Sequence, residues 1–375
     1  MGGMVRFVHT ADWQLGMTRH FLSEEAQARY SDARLAAIGA IGRLAEREHC
    51  EFVLVCGDVF ESNQLSAETV SRALEAMRQA KVPFYLLPGN HDPLSAGSIY
   101  TNGQFLEERP PNVVVLDRAG AHEVRKGVVV VAAPWTSKRP DRDPVAEALA
   151  SVEGWRDGDS VILAAHGGMD VFPHSPQAHG IIRLADLRRA MDRVGFVALG
   201  DRHSATEVED RIWYSGSPEP TNFDDVEKDS GQVLVVELAG RQAQVRPCRI
   251  GAWRFGTIER QTDGAEDLAD LDRTLSDLPD KTTTVLRLAL RGTLSLTDRA
   301  DLDSLLDRQS RKFASLRLWE RRTELAVLPA DGEFDGFSGF VGEAVEELAG
   351  RANTGNEDAQ QALGLLLRLS SGARA

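Results

Sequence analysis

The chain carries five short polar clusters in a fixed order: Asp12-Trp13-Gln14, Gly57-Asp58, Gly89-Asn90-His91-Asp92, His166-Gly167 and Gly200-Asp201-Arg202-His203. Carboxylates, amides and imidazoles in one set suit Mn²⁺, Fe²⁺ or Zn²⁺. A carboxylate shared by two ions can hold them about 4 Å apart, so that both neutralise phosphate oxygens during in-line attack by a bridging water. His91 lies beside a candidate ligand, and the adjacent Asp92 can fix its tautomer and favour its charged form. His91 is therefore the candidate to stabilise or protonate a leaving oxygen. Any one cluster alone reads as a turn. Five in order, each after an apolar run, ask for a common cause.

Those apolar runs are the elements that must position the clusters. Residues 5–9, 52–56, 84–87, 161–165 and 196–199 read as buried strands. Residues 24–48 read as a helix with Leu35, Ile38, Ile41 and Leu44 on one stripe, and 66–80 as a second helix capped by Ser66. Further strands are expected at 113–116 and 128–132. Continuous apolar strands alternating with helices predict an α/β sheet covered on both faces. In such sheets ligands gather at the carboxyl ends of the strands, where every cluster falls.

After Gly200 the texture changes. Residues 212–215, 233–238 and 243–248 read as consecutive strands. From Gly251 a strand (253–260), helix (265–278), strand (283–290), helix (297–309) and strand (316–325) form a small α+β unit. A glycine-rich stretch at 331–340 reads as a linker, followed by helices at 340–350 and 357–369. The expected domains are 1–250, 251–330 and 331–375.

Composition narrows the classes. At about 150 residues per domain, 375 residues make two or three domains. Acids outnumber bases 57 to 43, which excludes a binder that is basic over its whole surface and leaves room for a local patch. The 42% apolar content excludes a wholly disordered chain. The longest apolar run, 128–134, falls far short of the about 20 residues of a membrane span. The first six residues show no secretory pattern. Three cysteines, Cys50, Cys56 and Cys248, make no disulfide framework and predict a reducing, cytoplasmic compartment.

The ordered set Asp12-x-Gln14, Gly57-Asp58, Gly89-Asn90-His91-Asp92, His166-Gly167 and Gly200-Asp201-x-His203 resembles the calcineurin-like metallophosphoesterase superfamily. The segments His9-Thr10-Ala11-Asp12-Trp13-Gln14-Leu15-Gly16, Gly57-Asp58-Val59-Phe60-Glu61 and Tyr214-Ser215-Gly216-Ser217-Pro218-Glu219 resemble its DNA double-strand-break-repair nuclease branch, which includes SbcD-like exonuclease subunits. The resemblance implies an α/β fold: a β-sandwich core flanked by helices, a small α+β cap and a helical tail. It implies that Asp12, Gln14, Asp58 and His203 hold one metal, and Asp58, Asn90, His166 and Asp201 the other. It implies too that His91 acts on the scissile phosphate. It also implies Mn²⁺-dependent DNA cleavage, a homodimer, and a coiled-coil SMC-like ATPase partner docked on C-terminal helices.

Two positions depart from the pattern. Gln14 stands where the superfamily has His, and Asp201 where it has His. Both can coordinate through oxygen, so a modified site is expected. Oxygen-rich sites favour Mn²⁺, with Mg²⁺ or Fe²⁺ as alternatives, over Zn²⁺. Two other readings stay open: a phosphodiesterase for small substrates, and a weakly catalytic scaffold subunit of an ATPase complex.

The remaining signals are local. Arg308, Arg311, Lys312, Arg317, Arg321 and Arg322 stand against one acid, Glu320. On a strand, Arg317, Trp319 and Arg321 would share a face that could meet phosphates and bases; a solvated sheet face explains them equally well. Lys138, Arg139 and Arg142 make a second basic loop. His9 is expected to pack or to orient a ligand, His174 and His179 to be solvated, and Cys56 to pack as a small apolar residue. In the tail, Phe340, Val341, Ala344, Val345 and Leu348 form one apolar stripe, and Leu363, Leu365, Leu366, Leu367 and Leu369 a second. Such short helices need a surface, either a partner's or that of their own cap.

Overall fold

The computed structural model describes residues 4–140, 143–150, 158–173, 179–223, 230–327 and 339–354, and positions 356, 358, 359, 362, 363, 365 and 366. The chain divides into two units: Met1–His20 with Gln27–Arg254, and Phe21–Ala26 with Phe255–Ala375.

The first unit runs β1 (Val5–Thr10), α1 (Glu24–Arg47, its first turn counted with the second unit), β2 (Phe52–Cys56), α2 (Ala67–Arg78), β3 (Phe84–Leu87), α3 (Gly103–Glu108) and β4 (Val113–Val115). It continues through β5 (Gly120–Arg125), β6 (Val128–Ala133), α4 (Pro144–Ala150), β7 (Ser160–His166), α5 (Leu184–Ala190), β8 (Phe196–Gly200), β9 (Ala205–Glu209), β10 (Ile212–Ser215), β11 (Gln232–Ala239) and β12 (Gln242–Arg249). Two six-stranded sheets result, in the orders β12-β11-β1-β2-β3-β4 and β5-β6-β7-β8-β10-β9. Within them β1 to β4 are parallel, as are β6, β7, β8 and β10.

The continuous apolar runs have a physical reason, because both faces of each sheet are buried. Val5, Phe7, Phe52 and Leu54 meet Val128, Val130, Ile162 and Phe196 between the sheets. Phe7 stacks on Phe52 with centroids 5.1 Å apart. On the outer face of the first sheet, Val8, Val53 and Val55 pack against Ile38, Ile41 and Leu44 of α1 and Val70 and Leu74 of α2. On the outer face of the second, Val131, Leu163 and Val197 meet Val145 of α4 and Leu184 and Leu187 of α5. The result is four layers, helix-sheet-sheet-helix. The short elements α3, α4, α5, β5 and β9 escape a sequence reading because they hold too few residues to show a period.

His9 faces the inter-sheet core and is fully buried. Its Nε2 lies 3.1 Å from Leu199 O. Burial pushes its pKa down to about 3. The native state therefore binds no proton at His9 where the unfolded chain, titrating near 6.5, does. Stability is intact above that value and falls as the pH drops below it, by about 1.4 kcal/mol per unit. Urea unfolding of chelator-treated protein is expected to show a loss between pH 7 and pH 5 that is about 2 kcal/mol smaller in His9→Gln.

The second unit runs β13 (Arg254–Gln261, of which Arg254 counts with the first unit), α6 (Ala265–Asp277), β14 (Thr284–Leu294), α7 (Leu296–Ser310), β15 (Ser315–Leu318), β16 (Glu324–Val327) and α8 (Gly339–Asn353). Its sheet has the order β13-β14-β15, with β16 also pairing β14. The strand expected at 316–325 is broken. Val285 faces Ser315 but Arg291 faces Glu324, so the pairing offset grows by three residues. Those three form the 3-10 turn Glu320–Arg322. The Arg317-Trp319-Arg321 face therefore does not form. Instead the Trp319 ring carries the guanidinium of Arg287 at 3.4 Å from its centroid and that of Arg322 at 4.7 Å. Arg308 pairs with Asp272 at 3.0 Å, Arg311 with Asp307 at 2.6 Å and Arg322 with Glu259 at 3.1 Å.

Phe21 belongs to this unit although it lies between β1 and α1 in the chain. Its ring meets Phe255 at 5.8 Å and Arg317 at 4.8 Å, and its carbonyl accepts a hydrogen bond from Ser315 Oγ at 3.2 Å. The tail folds back on its own unit. Val345, Ala352, Ala359 and Leu363 are buried with Leu296, Ala300 and Val327. The expected stripe is thus divided: Val345 is covered, while Phe340 (85% exposed) and Val341 stay at the surface, as does Leu365. Leu367 and Leu369 lie outside the described residues. Among the described residues no helix is long and apolar enough to cross a membrane.

Candidate metal centre

Asp12, Gln14, Asp58 and Asp201 all have left-handed backbone, with φ of 55°, 43°, 52° and 98°. For residues other than glycine that conformation costs about 1–2 kcal/mol each. It persists because the surroundings impose it. The Asp12 N–H donates to Gly57 O at 3.0 Å, that of Gln14 to Asp58 O at 2.8 Å and that of Leu15 to Val59 O at 2.9 Å. The loops after β1 and β2 thus stay zipped while turning away from their sheet. Glycines clear the space they turn into. A Cβ on Gly57 would lie 2.1 Å from His166 Nδ1, and one on Gly89 2.2 Å from Asp58 Oδ1.

Ligand atoms of Asp12, Asp58 and His166, all buried, lie within 4.8 Å of one another. His166 Nδ1 faces Cys56 O at 2.9 Å. Its Nε2 lies 2.7 Å from Asn90 Oδ1, 3.4 Å from Asp58 Oδ2 and 3.8 Å from Asp201 Oδ1. The Asp201 N–H donates to both carboxylate oxygens of Asp12, at 3.2 and 3.1 Å. Burial pushes the Asp12 carboxyl up, and the Asp58 and Asp201 charges add to this against the pull of His166. Asp201 is raised by burial too. Burial also acts upward on Asp58, but His166 and His91 outweigh it and hold that carboxyl below its usual range. Burial acts downward on His166, and the Asp58, Asp12 and Asp201 carboxylates overturn it, so the ring stays charged well above its usual range.

Two buried carboxylates, Asp12 and Asp58, and the half-exposed Asp201 thus surround one imidazolium. Gln14 Oε1 is buried close by in the chain with no hydrogen-bond partner. A negative excess and an orphaned amide oxygen suit a divalent cation, and the residues fit one. His166 also fits: Cys56 O fixes Nδ1 as the protonated nitrogen and leaves Nε2 as the donor to a metal.

His91 reaches Asp58 through its backbone, N–H to Oδ1 at 3.0 Å. Its Nε2 lies 3.9 Å from Asp58 Oδ2, and its side chain is 36% exposed, open to a substrate. Asp92 does not orient it, contrary to the sequence expectation. The Asp92 carboxylate turns into the core and accepts from Gly89 N at 2.7 Å, Phe60 N at 3.0 Å and Tyr100 Oη at 2.7 Å. Burial and the Asp58 charge push its pKa up to about 6. The partner of His91 Nδ1 is Glu61, through its carbonyl at 3.0 Å and its carboxylate at 3.8 Å. Glu61 is the functional candidate that sequence reasoning passed over; its signal was an acid three residues after Asp58.

His203 is held from another side, with Nδ1 2.7 Å from Thr221 Oγ1. Trp135, also unforeseen, donates from Nε1 to His166 O at 2.7 Å. Cys56 packs in the inter-sheet core as expected. His179 is exposed, and His174 lies outside the described residues.

The calcineurin-like phosphoesterase family matches residues 5–205. A component of the nuclease SbcCD of Rhodobacter capsulatus, its SbcD chain, is 25% identical over 373 residues, spanning 85% of this chain and 88% of that protein. DNA double-strand break repair protein Mre11 of Methanococcus maripaludis is 34% identical over 91 residues, 24% of this chain and 23% of that one. An uncharacterized metallophosphoesterase of Bacillus subtilis, YhaO, is 30% identical over 94 residues, with the same shares.

Proposed function

Because the chain belongs to the calcineurin-like phosphoesterase family, we propose that it is a metal-dependent phosphodiesterase whose substrate is DNA, a nuclease of repair. The observation that carries the metal-dependent chemistry is the buried meeting of Asp12, Asp58 and His166. DNA as substrate is supported by similarity to a nuclease component along most of both chains.

Asp12, Gln14, Asp58 and His203 would hold one ion, and Asp58, Asn90, His166 and Asp201 the other. Bound divalent ions supply positive charge for phosphate oxygens and acidify water. His91, anchored at Nδ1 by Glu61, offers Nε2 as a proton donor to the leaving oxygen. Asp92 ties the His91 loop to the Asp58 loop and touches no reacting atom in this reading. A partner chain belongs to the reading, since the relative is one component of SbcCD. The SMC-like ATPase fits that place, and a second copy of this chain would complete the assembly. Among the described residues, the exposed Phe340, Val341 and Leu365 leave the tail open to a partner. A cytoplasmic location agrees with three unbridged cysteines.

The test is cleavage of plasmid and end-labelled oligonucleotides with Mn²⁺, Mg²⁺ or Zn²⁺, beside bis(4-nitrophenyl) phosphate. Cleavage of the small diester alone would overturn DNA as the substrate. Binding of no metal would leave a scaffold.

Manganese is the proposed ion because Gln14 and Asp201 leave one nitrogen ligand per metal, His203 and His166. Cleavage is expected with Mn²⁺ and to be poor with Zn²⁺. The double variant Gln14→His with Asp201→His should shift occupancy toward Zn²⁺ after dialysis against an equimolar mixture, read by elemental analysis. Identical metal profiles for the two proteins would contradict the ligand assignment.

A further inference from the structure

Arg34, on α1, is 3% exposed. Its guanidinium donates to Trp13 O at 2.6 Å, Pro220 O at 2.8 Å and Tyr30 Oη at 2.6 Å. Nη2 also lies 3.5 Å from Met17 Sδ, and Nε is buried without a hydrogen-bond partner. Every acceptor is neutral. Among the described residues no carboxylate stands within salt-bridge distance. The Glu61 and Glu219 charges act on it from further away, and its guanidinium lies 4.7 Å from the Tyr30 ring centroid. A buried arginine with no directly paired carboxylate is still costly, so stability alone does not account for it.

Its acceptors supply the reason. Trp13 sits between Asp12 and Gln14. Pro220 adjoins Thr221, whose Oγ1 meets His203 Nδ1 at 2.7 Å. The same Pro220 carbonyl also accepts from Tyr30 Oη at 2.5 Å, and Arg19 Nε donates to Thr221 O at 2.5 Å. One planar fork thus joins the loop that carries Asp12 and Gln14 to the segment that holds His203. Asn90 and His166 have partners apart from that loop, each other and Cys56 O among them; Asp201 alone of the three touches it, through its N–H to the Asp12 carboxylate.

We propose that Arg34 is a positioning residue for one of the two metal sites, setting Gln14 and His203 in register and thereby the occupancy of that site alone. This rests on the two-metal reading above. Arginine suits the task because its donors diverge in a fixed plane, so two carbonyls on separate segments are held at one spacing. A lysine ammonium in the same place keeps the charge and loses that spacing.

The experiment is calorimetric titration of the metal-free full chain with Mn²⁺. Two ions are expected to bind the wild type. Arg34→Lys should weaken one of them by about 10–100-fold, the usual effect of losing a residue that orients ligands, and leave the other unchanged. Thr221→Val should weaken the same ion, so that combining it with Arg34→Lys adds little. Asn90→Ala should weaken the other ion, and combining it with Arg34→Lys should weaken both. Wild-type affinities at both sites in Arg34→Lys would overturn the proposal, as would equal weakening of both ions. If Arg34→Lys does not unfold cooperatively, Thr221→Val decides: selective loss of one ion supports the proposal, and unchanged binding overturns it. Fewer than two ions on the wild type would instead overturn the two-metal reading, and the proposal with it.

Discussion

Asp58→Asn is expected to empty both metal sites and to slow phosphodiester cleavage by about 10³-fold or more, the scale set by losing preorganised charge stabilisation. In the two-metal reading proposed above, Asp58 is the residue that would serve both ions. It is buried, its Oδ1 accepts from His91 N–H at 3.0 Å, and its Oδ2 lies 3.4 Å from His166 Nε2 and 3.9 Å from His91 Nε2. Asparagine keeps the shape and can still accept from His91, so the fold should survive. It removes the anion that both ions need. The stabilisation expected of the wild type with Mn²⁺, about 2.7 kcal/mol when the ion stands at a hundred times its dissociation constant, should then be missing. Elemental analysis and melting curves with and without Mn²⁺ measure this. Two ions retained in an active Asp58→Asn protein would refute the bridging role.

His91→Ala is expected to do the opposite to the metals. The contact between His91 and Asp58 runs through the backbone N–H, which alanine retains. Metal content should stay near two ions, while turnover falls by about 10²–10⁴-fold, the range for losing a general acid. Glu61→Gln should fall between the two proteins, because the Glu61 carbonyl still holds Nδ1 after its carboxylate is neutralised. If His91→Ala released both ions, His91 would be a metal-positioning residue and its assignment as proton donor would fail.

The strand ends could be read from the sequence because the strands are apolar on both faces. A run such as Phe52–Cys56 is buried throughout, so its polar successor marks where the sheet stops. Which way a polar side chain turns there could not be read. His91 and Asp92 are neighbours in sequence, yet the backbone sends one toward solvent and the other under Phe60 and Tyr100. Partners from distant loops, such as Thr221 for His203, leave no spacing signal. In 315–327 the residue types suit a strand throughout. Only the pairing with β14 reveals three surplus residues, and the stacking of Arg287 and Arg322 on Trp319 accommodates them.

The placement of Phe21–Ala26 bears on how such a chain can be inherited in pieces. The polypeptide passes between its two units three times, at 20/21, 26/27 and 254/255. A single recombination near 254 would hand a recipient a second unit without the phenyl ring that Phe255 and Arg317 enclose. The donor's N-terminal stretch would keep that ring with nothing to receive it. The second unit is therefore no interchangeable cassette. Its Phe255 and Arg317 must change in step with Phe21, which lies between the Gln14 loop and the body of α1, so the packing of this one unit is written in two stretches of sequence more than 230 residues apart.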